Sequence, residues 1–87
     1  MAEVLDRPAT LRLNASDPVM IAMRDIAAGE PVGLNVQASE PITRGHKVAI
    51  LPVPAGEPVR KFGQIIGNAT KAISPGQHVH VHNLAFR

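Results

Sequence analysis

Cysteine, tryptophan and tyrosine are all missing from this chain, and phenylalanine occurs only twice. Without cysteine there is no disulfide, no thiol nucleophile and no thiolate zinc site. So few aromatics leave no platform on which single-stranded nucleic acid could stack. Charge of one sign is also scarce: nine Lys and Arg face seven Asp and Glu, a net +2, too little for binding driven by phosphate neutralisation. No apolar run approaches the ~20 residues of a membrane-spanning helix. The opening residues have neither the basic start nor the apolar stretch of a secretory signal. No nucleic-acid or membrane partner is therefore expected, and the default location is the cytoplasm.

What remains is short, aliphatic and heavily punctuated. Eighty-seven residues make one domain, spanning residues 1–87, with residues 1–9 expected to be flexible. A chain this small buries only roughly 60% of its unfolded surface, so Val, Ile, Leu and Ala must carry its core. Eight prolines and seven glycines are spread along the chain and favour many short elements over long helices. Apolar residues alternate with others over Thr10-Leu11-Arg12-Leu13, Val32-Gly33-Leu34-Asn35-Val36 and Val79-His80-Val81-His82, the period-two signature of half-buried strands. Lys47 to Leu51 and Gln64 to Ile66 read as further strands. Asp17 to Ile26 is balanced between strand and helix, with Ser16 or Asp17 as a cap and Pro18 early in the element.

A short repeat organises the chain. Ile26-Ala27-Ala28-Gly29 leads to Val32, Ile42-Thr43-Arg44-Gly45 to Val48, Val53-Pro54-Ala55-Gly56 to Val59, and Ile73-Ser74-Pro75-Gly76 to Val79. Each copy reads as a tight turn whose β-branched residue packs inward, whose glycine takes a positive φ, and whose closing valine starts the next strand. Four such turns predict an all-β ribbon that keeps doubling back. The uneven spacing of the copies excludes a solenoid of fixed period.

Histidine carries most of the chemistry on offer. On a strand, His78, His80 and His82 would share one face at about 7 Å per step, with Val79 and Val81 turned to the core. Such a row can ligate a metal, bind an anion when protonated, or supply a general acid. His46 follows the glycine of the second repeat, where the other copies carry Glu30, Glu57 and Gln77. Lys47 beside it could neutralise a carboxylate, and Arg44, Arg60 and Lys61 add further cations. Asp17 and Asp25 have no evident partner in the sequence. Gly63 and Gly67 flank no phosphate-binding loop, and no Gly-x-Ser-x-Gly nucleophile elbow occurs.

Three stretches together resemble a known family. Arg44-Gly45-His46-Lys47-Val48-Ala49, then Gly56 through Gly67, then Ala72 through His78-Val79-His80-Val81-His82-Asn83, are similar to the SAF domain that opens the altronate/galactarate dehydratases. The resemblance extends back through Leu13 to Ile26, except that Pro18 stands where the family usually has Asn. It implies a β-clip fold and a sugar-acid hydro-lyase working with iron or manganese held mainly by a large catalytic portion. It also implies a split arrangement, in which a short chain is the small subunit beside a large one. The histidine-rich ending favours the altronate or sulfolactate sulfo-lyase branch over the galactarate branch. On this reading His46, His80 and His82 are expected to be catalytic, and Lys47, Arg60 and Asn83 to bind the sugar-acid substrate. His78, His80 and His82 are the expected metal ligands. Leu84 and Phe86 are expected in an aliphatic partner contact, through which the isolated chain would self-associate. The alternative is a non-catalytic SAF module that binds or braces its partner.

Overall fold

The computed structural model describes residues 9–86 and contains no helix among them. Nine short strands run β1 (Thr10–Leu11), β2 (Val19–Ala22), β3 (Pro31–Gly33), β4 (Val36–Gln37) and β5 (Lys47–Ala49). They continue with β6 (Pro58–Lys61), β7 (Gln64–Ala69), β8 (His78–Val79) and β9 (Leu84–Phe86). All pairings are antiparallel, in a four-stranded sheet β1-β2-β5-β8, a hairpin β3-β4 and a three-stranded sheet β6-β7-β9. The all-β class is therefore as expected. Ala9 is tied down, its carbonyl accepting the Met23 N–H at 2.8 Å; the rest of the segment expected to be flexible, residues 1–8, lies outside the described residues.

The stretch balanced between strand and helix resolves as strand. Pro18 can donate no N–H, and its carbonyl accepts the Ile50 and Leu51 N–H groups. Val19 and Ala22 are buried on either side of β2, which is hydrogen-bonded by both β1 and β5. All three alternating patterns run past the strands they form, the first stopping at Leu11. Leu34 and Asn35 take positive φ and form the β3–β4 turn. Strand β8 ends at Val79, so Val81 lies in a turn and is 68% exposed instead of facing the core.

The four-copy repeat is the frame of the molecule. Its eight β-branched residues, Ile26, Val32, Ile42, Val48, Val53, Val59, Ile73 and Val79, are all at most 4% exposed. At roughly 1.5–3 kcal/mol for each fully buried side chain, they supply much of the drive to fold. The first two copies fill one hydrophobic cluster and the last two fill another. Within each pair the leading residues meet in a two-hydrogen-bond bridge, Ile26 with Ile42 and Val53 with Ile73. In every copy the residue after the glycine donates its N–H to the carbonyl three positions back, at 2.9–3.1 Å. The glycine N–H itself reaches an alanine carbonyl: Ala38, Ala22, Ala69 and Ala49 in turn. Gly76 shows why the corner residue is glycine: φ is +92°, and a Cβ there would run into the Gln37 carbonyl.

Candidate functional site

Sheet register, more than strand periodicity, assembles the histidines. Lys47 pairs with Val79 and Val48 with His78, so one further step sets His46 opposite His80. Residues directly opposite in an antiparallel pair share a face at close range, and diagonal neighbours remain within reach of large side chains. The rings follow this rule. His46 stacks on His80 with centroids 4.2 Å apart, and on His78 at 5.0 Å, each at 15° between planes. His78 and His80 lie 5.5 Å apart, and His82 leans on His78 at 5.1 Å. His46 Nδ1 and His78 Nε2 are 2.8 Å apart, a hydrogen-bond distance across 32 residues of sequence.

The backbone around the rings is held from several sides. His80 to Asn83 form a turn closed by the Asn83 N–H on the His80 carbonyl, at 3.1 Å. The Asn83 side chain accepts the His80 N–H at 3.0 Å and donates to the His78 carbonyl at 2.8 Å. Asn83 is 4% exposed, and its side-chain amide braces the two histidines. Glu40 accepts the His78 N–H at 3.0 Å. Sequence reasoning missed Glu40, because nothing in a loop carboxylate before a proline signals which distant strand it will cap.

The environment holds His78, His80 and the nearby Lys47 ammonium towards their neutral forms. Burial first, and then the proximity of His46 and His82, hold His78 below the usual histidine range, with Glu40 opposing. Burial and then His46, Lys47 and His82 lower His80 in the same sense. Lys47 is 8% exposed and lies with Nζ 5.2 Å from the Phe86 ring centre; burial and then Lys61 lower it as well. Lys61 is thus the β6 cation that Lys47 feels. Arg60, the expected substrate cation, is exposed. Leu84, expected in a partner contact, is buried in the core, whereas Phe86 is 50% exposed.

Among the described residues, the group suited to a metal is His46, His78 and His80, each offering one ring nitrogen, with all three atoms within 4.8 Å of one another. It replaces the His78, His80, His82 set expected from the sequence: His46 enters by register, and His82 stands at the exposed rim. Among the described residues His80 Nδ1 is buried without a hydrogen-bond partner, an atom that a bound ion or a reoriented ring would satisfy. Neutral imidazoles are the ligand form for divalent iron, manganese, cobalt or zinc, so the donor set fits such an ion.

A family model described as the altronate/galactarate dehydratase SAF domain matches residues 8–87, and the chain belongs to that family. It is 37% identical over 76 residues to the altronate dehydratase of Bacillus subtilis (strain 168), a match covering 84% of this chain and 15% of that enzyme. The altronate dehydratase of Escherichia coli (strain K12) is matched to the same extent. The chain is also 42% identical over 50 residues to the (2R)-sulfolactate sulfo-lyase subunit alpha of Paracoccus pantotrophus, covering 58% of this chain and 72% of that subunit. The chain thus spans about 15% of the length of the altronate dehydratases it matches. The family resemblance read from the sequence holds.

Proposed function

We propose that this chain is the SAF subunit of a hydroxy-acid lyase, working beside a large catalytic subunit to dehydrate an altronate-like sugar acid. The observation that carries the reading is the convergence of His46, His78 and His80, from two distant segments, in a chain of the dehydratase SAF family. The dehydration breaks the C–H bond beside the carboxylate and the C–O bond of the neighbouring hydroxyl. Water leaves, and the resulting enol tautomerises to a 2-keto-3-deoxy acid. The substrate proton is weakly acidic, so the charge that develops on the carboxylate needs stabilisation.

The chain's own groups divide this work. Lys47, with Lys61 beside it, offers positive charge to the substrate carboxylate at the edge of the cluster. His80, held towards its neutral form, suits a base or ligand better than an acid. His82, exposed in the turn, is free to donate a proton to the departing hydroxyl. His46, His78 and His80 would hold iron or manganese, whose contribution when bound is Lewis-acid stabilisation of the developing negative charge. Asn83 positions the turn. Part-exposed as it is, the cluster needs a second polypeptide to exclude water from the reaction.

A sulfo-lyase subunit is the second reading, favoured by the 72% coverage of the sulfolactate sulfo-lyase alpha subunit. Co-expression with a large dehydratase-family chain, followed by assays for 2-keto-3-deoxy acid and for sulfite, separates the two. The expected result is keto acid from the paired chains and none from either alone. Full activity after His46, His80 and His82 are replaced together would leave the chain a non-catalytic module and overturn the reading.

A further inference from the structure

We infer that His46, His78 and His80 form a binding site for a first-row divalent transition ion that this chain builds by itself, before any partner docks. The inference deepens the lyase reading and rests on it for its purpose, but the site stands on this chain's own geometry. Three observations support it. The three ring nitrogens already lie within 4.8 Å of one another, so the adjustment left for one ion to reach all three falls on rotation of the stacked rings. The backbone bearing them is fixed by main-chain pairing of β5 with β8, by the Asn83 brace and by the Glu40 cap. Among the described residues, His80 Nδ1 is left buried and without a partner in this otherwise hydrogen-bonded turn.

The alternative account of the cluster is a stack of imidazoles held together by packing and one shared proton. That account satisfies His46 and His78 through their 2.8 Å contact but leaves His80 Nδ1 without a partner. The choice of ion follows from the donors. Nitrogen ligands with no carboxylate among them select zinc, cobalt, nickel or iron over magnesium and calcium, which require oxygen. Three protein ligands are the number found in catalytic sites, where the remaining positions stay open to water or substrate. A 2-hydroxy acid, presenting a carboxylate and a hydroxyl on adjacent carbons, is the ligand class suited to adjacent open positions. Lys47, near enough to His80 for their charges to interact, adds positive charge beside the site.

The test uses the full-length chain, freed of metal and kept apart from any partner. Titration with cobalt(II) is followed by its visible d–d absorption, with zinc as competitor and magnesium as control. Long-range proton–nitrogen spectra report which rings respond. The expected result is one ion per chain, displaced by zinc and not by magnesium, with ring signals of His46, His78 and His80 shifted. His46→Gln, His78→Gln and His80→Gln should each lose at least about tenfold in affinity, since even outer-shell substitutions cost that much. His82→Gln should leave the affinity unchanged, and an unaltered amide spectrum confirms that each variant is folded. Absence of binding, equal competition by magnesium, or a loss in His82→Gln as large as in His46→Gln overturns the site. A chain that binds no ion yet supports dehydration with its partner overturns only this inference. A chain that binds cobalt but supports neither lyase reaction overturns the functional reading and leaves the site.

Discussion

Both oxygens of the Asp17 carboxylate accept consecutive main-chain N–H groups, from Phe62 at 2.7 Å and Gly63 at 2.8 Å. The carboxylate is 1% exposed, and Phe62 sits at a φ of +57°, a region that L side chains resist. One acidic side chain therefore holds the β6–β7 hairpin tip in place from 45 residues away. Asp17→Ala is expected to cost about 3 kcal/mol in urea unfolding, because two hydrogen bonds from the hairpin tip to a buried carboxylate are lost. Among the histidines the informative variable is pH. His78 and His80 have folded-state pKa values below their unfolded value of about 6.5, so the unfolded chain binds more protons. Their contribution is intact above about pH 6.5 and falls as pH drops through the lowered folded values. The metal-free chain is thus expected to have a lower urea midpoint at pH 5 than at pH 7.5. Replacing His78 and His80 together by Gln should flatten that slope, while the neighbouring groups His46, His82, Lys47 and Glu40 remain.

At the scale of elements, the turns were the legible part. Composition and the spacing of β-branched residue, glycine and valine contain the physical reason for each corner, and all four corners formed as expected. The corners differ in strictness. At Gly56 an added Cβ meets nothing within 4 Å, whereas at Gly76 it meets the Gln37 carbonyl. Gly56→Ala should therefore cost only the backbone strain of about 1–2 kcal/mol, and Gly76→Ala clearly more, measured side by side by chemical denaturation. The histidine row was only half legible. Alternation identified β8 but could not show that it stops after two residues, because Asn83 ends it through a side-chain bond to the His78 carbonyl. His46 stood out as the odd residue in its repeat slot. Its place opposite His80 depends on which strands pair and in what register, and single-strand periodicity does not contain that. The proximity of Lys61 to Lys47 depends on packing between sheets in the same way.

At the scale of the molecule, the two small hydrophobic clusters of the described residues leave large apolar side chains outside. Val81 lies in the same turn as His80 and His82 and is 68% exposed; Phe86, against Lys47, is 50% exposed. Apolar residues beside an incomplete polar site suit burial against a second chain. Val81→Glu is expected to abolish co-purification with a large dehydratase-family chain while leaving the urea midpoint of the isolated chain unchanged. Loss of stability instead would place Val81 among the supports of the turn.

The slot after each corner glycine has a further consequence. In the first and last copies the side chain there folds back on its own turn: Glu30 accepts the Ala27 N–H and Gln77 the Ser74 N–H, both at 2.6 Å. In the third copy Pro54 has no N–H for Glu57 to accept. In the second, His46 reaches its histidine neighbours instead, and Asp25 reaches in to accept the Arg44 N–H. His46→Gln should restore the self-contained corner and give a sturdier metal-free chain, with a higher urea midpoint. Reactivity would then have been grafted at a site where local robustness was surrendered, and Glu57 marks a twin position at which a designer could install a second cluster without disturbing a corner that already does without its clasp.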